Sequence, residues 1–216
     1  MPVITIRGQF GSGAPDIGKK VAERLHIDYV DREIIAGVAE KVNATSKKIE
    51  AKEMPPATFF KRIGDAIAHA YPIASPEGLS APIPVYLPAS QIPLDDPSYL
   101  RGLESVVKEL AAGNAIVIRG RGSQFILKDF PGVFHVMVVA PLKLRVDRIM
   151  SIRNLDEKAA RQEINSFDSS RHEFIKRFFK EELENPLHYD LVINTEHFNL
   201  DEAASLIIDA LSVKNP

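Results

Sequence analysis

The chain has 216 residues, with 27 Lys and Arg, 29 Asp and Glu and no Cys. A chain of this length buries enough surface to fold without a disulfide or metal, and the lack of thiols excludes disulfide scaffolds and thiolate metal sites. The net charge of −2 argues against a nucleic-acid polymer or an anionic membrane as partner. Because no apolar run reaches about 18 residues, no membrane span is predicted. The absence of Cys is typical of a cytoplasmic location.

Five β-rich runs alternate with helical patterns along the chain. The strands are predicted at residues 3–7, 28–30, 115–119, 134–140 and 190–194, and the helices at 19–25, 100–112, 142–149 and 200–211. Four of the five runs are almost continuously apolar, which is typical of parallel strands covered by helices on both faces. The pattern predicts a three-layer α/β/α fold with a parallel sheet of about five strands.

Residues 55–97 interrupt this alternation, because nine of the fifteen prolines lie there. Proline removes a backbone donor and clashes with the preceding turn, so 72–97 is not a regular helix, although 59–70 is compatible with one. We interpret 55–97 as a loop-rich insertion in a single domain over residues 1–216. It is either a solvent-exposed loop without a specific role, or a substrate lid or a contact in a homo-oligomer.

Residues 154–184 form a second organised region. Asp156 and Glu157 favour a helix start, and apolar residues recur at helical spacing as far as Leu183. The segment is predicted to be a lid-like helical region or, alternatively, an ordinary solvated helical face.

The strongest local signal is a glycine-rich segment between the first strand and the first helix. Four of the twelve glycines fall between Gly8 and Gly18. Glycine lets backbone amides approach an anion closely, and a helix N-terminus adds partial positive charge. The segment therefore predicts a phosphate site, with a tight turn that binds no ligand as the alternative.

Two arrangements of a phosphate-binding loop are possible here. In one, Gly13 to Lys20 matches G-x-x-x-x-G-K-[ST], except that Lys20 replaces the hydroxyl residue. In the other, Gly8 to Gly13 is the loop and Ala14 stands where lysine is usual. We favour the second, because it starts the helix near Pro15, and proline is preferred in the first turn. It predicts that Lys19 points away from the phosphates.

Two further alternatives are weaker. A dinucleotide site would need a third glycine where Asp16 stands, although Asp31 is placed to bind a ribose. The six histidines have no spacing typical of metal ligands, so no metal site in the protein is predicted.

Several segments together resemble the cytidylate-kinase-like family, which is related to a P-loop nucleoside monophosphate kinase. The matching segments are 4–13 (ITIRGQFGSG), 17–25 (IGKKVAERL), 29–35 (YVDREII), 117–127 (VIRGRGSQFIL), 134–153, Asp168 with Arg171, and 189–195 (YDLVINT). They cover most of the chain outside 55–97. The resemblance implies a kinase that uses ATP and Mg²⁺ and acts on a small nucleotide.

The resemblance also implies roles for individual residues. The donor phosphates would be lined by Gly8, Gly11, Ser12, Gly13 and Ala14. The acceptor nucleotide would be bound by Asp31, Arg32 and Arg121. The lid would supply the catalytic residues Arg148, Arg153, Asp168 and Arg171. Arginines from several elements suit phosphoryl transfer, which depends on positioning and charge neutralisation; the alternative for each is an ordinary ion pair.

The chain departs from cytidylate kinases at Ala14, where they carry lysine, at Asp16, where they carry a hydroxyl residue, and at Gly122, where they carry an acidic residue. Two functions therefore stay open. One is phosphoryl transfer from ATP to a small nucleotide by a degenerate P-loop. The other is a catalytically weak or inactive nucleotide-binding module of the same fold, acting as a sensor or as a component of an oligomer.

Overall fold

A computed structural model of the chain describes residues 2–31, 97–113 and 115–214, and of residues 97–99 only the backbone. The chain divides into two compact units, one formed by Met1–Arg32 with Val107–Pro216 and the other by Glu33–Val106. The predicted helix over 59–70 and nearly all of the predicted insertion over 55–97 lie outside the described residues, so the single-domain interpretation stays a prediction.

Strands and helices alternate as the sequence pattern predicts. The strands are β1 (Val3–Gly8), β2 (Asp28–Val30), β3 (Ile116–Arg119), β4 (Val133–Val139) and β5 (Leu191–Asn194). The helices are α1 (Ala14–Leu25), α2 (Pro97–Gly113), α3 (Ser123–Ile126), α4 (Leu142–Arg153), α5 (Glu157–Phe178) and α6 (Leu200–Lys214), with a short 3₁₀ helix at Pro186–His188.

The five strands form one parallel sheet in the order β2-β3-β1-β4-β5. β1 is central: Ile6 pairs with Arg119 of β3 on one side and with Val136 of β4 on the other. Residues 3–7 of β1 are all buried, which requires cover on both faces of the sheet. The predicted α/β fold with a five-stranded parallel sheet is therefore confirmed. Its carboxyl edge, where such folds bind ligands, carries the glycine-rich segment after β1.

One hydrophobic core joins the sheet to α1 and α6. β1 contributes Ile4 and Ile6, α1 contributes Ile17 and Val21, and α6 contributes Ile207, all of them fully buried. The apolar positions of α1 recur at helical spacing, so its polar side, including Lys19, faces solvent. This packing sets the direction in which α1 leaves the glycine-rich segment.

Helix α6 begins with reciprocal side-chain capping. The Asn199 side-chain oxygen accepts hydrogen bonds from the N–H groups of Asp201 and Glu202, each at 2.9 Å. The Glu202 carboxylate in turn accepts the N–H of Asn199 at 2.8 Å. These bonds satisfy amides that have no partner within the helix.

We predict that Asn199→Ala lowers the free energy of unfolding by about 1 kcal/mol, the usual effect of losing an N-cap side chain. Asn199→Asp is the matched control, because aspartate caps as well as asparagine. Denaturant unfolding measures both. Equal losses in the two variants would contradict a capping role.

A half-buried histidine links β1 to β4. His135 Nδ1 lies 2.7 Å from the Thr5 hydroxyl oxygen. Burial lowers the pKa of His135 below its ordinary 6.5; Asp190 opposes this shift and Lys214 adds to it. The folded state therefore favours the neutral imidazole.

We predict that His135 lowers the free energy of unfolding at acidic pH. Below about pH 6.5 the unfolded chain binds a proton at this position more readily than the folded chain, so stability is lost as the pH falls through the lowered pKa. Denaturant unfolding at about pH 7.5 and about pH 5.5 tests this. His135→Gln should reduce the loss, whereas substitution of the exposed His197 by Gln should not. Identical pH dependence in wild type and His135→Gln would refute the assignment.

Candidate active site at the glycine loop

The loop between β1 and α1, residues Gly8 to Gly13, is called the glycine loop here. Gly11 and Gly13 have φ of +84° and +88°, which favours glycine. A Cβ on Gly8 would lie 2.3 Å from the Ala14 Cβ and 2.6 Å from the Ser12 Oγ, so no other residue fits there. The helix starts at Ala14, with Gly13 as N-cap and Pro15 in its first turn. Of the two arrangements considered, the helix start matches the one with Gly8 to Gly13 as the loop.

The glycine loop has hydrogen-bond donors at the start of α1 that are available to a ligand. Within the described residues, the N–H groups of Gly11, Gly13 and Ala14 make no hydrogen bond. The Ser12 hydroxyl is fully buried and has no partner there. Donors at a helix N-terminus attract anions, so this geometry fits a phosphate group. Ala14, however, is buried and brings no positive charge.

Arg148 of α4 binds the glycine loop through the loop's carbonyl groups. Its Nη1 donates to the carbonyl oxygens of Gly11 at 3.4 Å and Ser12 at 3.1 Å. The same guanidinium donates to the hydroxyl and carbonyl oxygens of Thr195, after β5. Burial lowers the pKa of Arg148. With these partners the side chain holds the backbone of the loop.

Arg145, one turn earlier on α4, is buried and forms an ion pair with the partly buried Asp168 of α5 at 2.5 Å. Arg145 also donates to the Phe10 carbonyl oxygen at 3.3 Å, and Asp168 accepts the Phe10 N–H at 3.1 Å. Both polar groups of one loop residue are therefore held by one ion pair. Asp168 was predicted from the sequence but Arg145 was not, although its spacing of three residues from Arg148 places both arginines on one helix face.

Arg171 and Arg153 complete the contacts between the helices and the loop. Arg171 donates to the Gly8 carbonyl oxygen at 2.9 Å. Phe10 stacks on Phe167 of α5 with ring centroids 4.4 Å apart, and the Arg153 guanidinium lies 5.3 Å from the Phe10 ring centroid. Arg153 also pairs with Glu163. The four residues predicted for the lid therefore gather around the glycine loop.

The residues predicted for the acceptor lie at the ends of β2 and β3. Asp31 accepts two close hydrogen bonds from Arg119 Nη2, at 2.6 and 2.7 Å, and one from the Tyr29 hydroxyl at 3.2 Å. Burial raises the pKa of Tyr29. Asp31 is thus anchored by Arg119, which the sequence analysis missed. Arg121 has φ +57° between Gly120 and Gly122, which also have positive φ. Arg32 lies outside the described residues.

The chain belongs to the cytidylate kinase-like family, whose sequence pattern matches residues 3–197. A cytidylate kinase from Archaeoglobus fulgidus is 26% identical over 98% of this chain and 95% of its own length. A uronate isomerase from Corynebacterium glutamicum is 29% identical over 106 residues, which are 49% of this chain and only 20% of that protein.

Solved structures support the fold. An uncharacterized protein from Eubacterium ventriosum superimposes with a TM-score of 0.69 over 98% of this chain and 99% of its own, at 18% identity. A gluconokinase from Sinorhizobium meliloti superimposes with a TM-score of 0.50 over 98% of this chain and 92% of its own, at 13% identity. The fold is that of the P-loop kinases. None of the helices in the described ranges is long and apolar enough to cross a bilayer.

We predict that Asp168→Ala lowers the free energy of unfolding by about 3–5 kcal/mol, because it leaves a buried arginine unpaired. The double variant Arg145→Met with Asp168→Leu should lose less, since no unpaired charge remains. Arg161→Met is the matched control: it breaks an exposed pair with Glu157 on the same helix, which contributes at most about 1 kcal/mol. Urea unfolding measures all three, and equal losses for Asp168→Ala and Arg161→Met would contradict the role of the pair.

Proposed function

We propose that this protein transfers the γ-phosphoryl group of ATP to a small nucleotide, using the glycine loop as a degenerate P-loop. The observation that carries the proposal is the loop itself. It follows the central strand of a P-loop kinase fold, has two glycines with positive φ, and has amides at the start of α1 that make no hydrogen bond to described residues. Membership of the cytidylate kinase-like family supports a nucleotide as the acceptor.

Gly8, Gly11, Ser12, Gly13 and Ala14 would hold the donor phosphates. Their contribution is hydrogen bonding from backbone N–H groups and the Ser12 hydroxyl, strengthened by the positive end of α1. ATP supplies the phosphoryl group to be transferred. With no lysine at position 14, the bound phosphates would be neutralised less completely than in a loop that carries one.

The arginines of α4 and α5 would compensate in part. Arg145, Arg148 and Arg171 hold carbonyl oxygens at four loop positions. A loop held in this way need not reorganise when charge develops on the phosphoryl group, and such preorganisation is a major source of catalysis. Arg153 and Asp168 would act through Phe10, so these side chains are positioning residues in the proposed reaction.

The acceptor would lie at the carboxyl ends of β2 and β3. Arg121 would bind its phosphate or ribose, Arg32 would face it, and Asp31, oriented by Arg119, would bind a hydroxyl or base. Mg²⁺ would arrive with the nucleotide, because it is commonly held by substrate phosphates and one or two carboxylates. Within the described residues, no group of three or more His, Cys, Asp or Glu is placed to hold a metal by itself.

Ala14 favours a second candidate function. Its methyl group is 2% exposed and offers nothing to a triphosphate. A protein that binds nucleotide with this loop but transfers phosphate slowly would act as a sensor or as a component of an oligomer. Transfer of labelled phosphate from ATP to a panel of nucleoside monophosphates separates the two functions.

We predict that Ala14→Lys tightens ATP binding by about tenfold or more. A hydrogen bond to a charged group contributes about 1.5–3 kcal/mol, and about 1.4 kcal/mol is tenfold in affinity. Lys19→Ala is the matched control, because Lys19 is exposed on the far side of α1. Isothermal titration calorimetry with ATP and Mg²⁺ measures both variants. Loss of binding in Lys19→Ala would mean that Gly13 to Lys20 forms the loop instead.

A further inference from the structure

Arg7 is a buried cation whose guanidinium has no hydrogen-bonding partner within the described residues. It directly precedes the glycine loop in β1 and is 5% exposed. All three of its guanidinium nitrogens are buried. The carboxylate of Glu184 approaches one of them to 3.5 Å, which is too far for a charge-assisted hydrogen bond of ordinary length.

The neighbouring strand shows how this protein satisfies a buried arginine. Arg119 ends β3 and forms short bonds with Asp31, at 2.6 and 2.7 Å. Because Ile6 pairs with Arg119 and successive side chains alternate between faces, Arg7 and Arg119 lie on opposite faces of the sheet. Arg7 has no counterpart of Asp31. Burying a charge without close partners is costly. The Arg7 guanidinium is therefore suited to pairing with an anionic group of a bound ligand.

The surroundings of Arg7 leave an acceptor unused as well. Tyr189 lies close enough for the charges of Arg7 and Glu184 to act on its pKa, which burial raises. Its hydroxyl donates to the Leu183 carbonyl oxygen and accepts a hydrogen bond from Gln124 Nε2. The second bond orients the Gln124 amide. The Gln124 Oε1 is buried and accepts no hydrogen bond from any described residue. Tyr189 therefore lies near both the guanidinium donors of Arg7 and the Gln124 Oε1, which make no hydrogen bonds with described residues.

We propose that Arg7 binds an oxyanion of the acceptor, a phosphate or a carboxylate, and that this anion replaces Glu184 beside the guanidinium. The planar fork of arginine is suited to bidentate contact with either group. Gln124 would accept a hydrogen bond from a hydroxyl of the same molecule. The inference rests on the proposed function for the identity of the ligand as acceptor, but the anion site itself is testable without ATP.

The position of Arg7 supports an acceptor site. Arg7 directly precedes Gly8, where the glycine loop begins, and Gln124 follows the Gly120 to Gly122 turn after β3. Both lie at the carboxyl ends of adjacent parallel strands, where open α/β sheets bind ligands. Glu184 is able to leave, because its side chain is 42% exposed and its bond from Gln9 Nε2 is long, at 3.2 Å.

The test is thermal unfolding of the full chain in increasing inorganic phosphate or acetate, at constant ionic strength maintained with chloride. Wild type should be stabilised by one or both anions, and Arg7→Met should lose that response. Glu184→Gln removes the competing carboxylate and should lower the half-saturating anion concentration by about tenfold, the effect of about 1.4 kcal/mol. Arg24→Met, which breaks an exposed pair with Asp201, is the matched control and should respond as wild type.

Two results would overturn the proposal. One is an anion response that persists in Arg7→Met. The other is an unchanged or weaker response in Glu184→Gln, which would make Arg7 and Glu184 a structural ion pair; this variant decides the question if Arg7→Met does not fold. Repeating the titration with saturating ADP prevents phosphate from binding at the glycine loop. If ADP does not bind but Arg7 still governs the anion response, the proposed function fails and the anion site stands.

Discussion

The glycine loop depends on how its carbonyl groups are satisfied. Gly11 and Gly13 adopt positive φ, and the amides at the start of α1 make no hydrogen bond among the residues described. The carbonyl oxygens of the same loop need donors elsewhere. Three arginines from α4 and α5 provide those donors, and the Arg145–Asp168 pair keeps two of these elements together. Because buried charges are stable only when paired and hydrogen-bonded, the loop, α4 and α5 are stabilised as a unit.

This arrangement connects folding to chemistry. A loop that binds an anion through backbone amides has to have the correct geometry before the anion arrives. Packing achieves that here: Ile17 and Val21 anchor α1 to the sheet, and Phe10 stacks on Phe167 of α5. The arginines of α4 and α5 contact the loop through its carbonyl groups.

Much of the fold could be predicted because its signals are local. Apolar runs such as residues 3–7 mark strands buried on both faces, and Pro15 after Gly13 marks the start of α1. The candidate site was predicted less completely. Arg148, Asp168 and Arg171 were predicted, but their contacts with backbone groups of the loop depend on α4 and α5 packing beside a loop more than 130 residues away in sequence. Arg7 stands out in the sequence as a charged residue in an apolar strand, but the spacing of motifs assigns it no role.

The order of strands and helices and the position of the glycine loop could be predicted from the sequence alone, because these follow from the nature of neighbouring residues. Which arginine has which partner depends instead on the three-dimensional packing. Arg7 and Arg119 lie near the ends of adjacent apolar strands, yet Arg119 has Asp31 at 2.6 Å and the Arg7 guanidinium makes no hydrogen bond within the part of the chain that the structure describes. The physical reason is that the partner of a buried charge depends on which residues pack against the face of the sheet on which its side chain lies. Those residues come from segments that are distant in sequence.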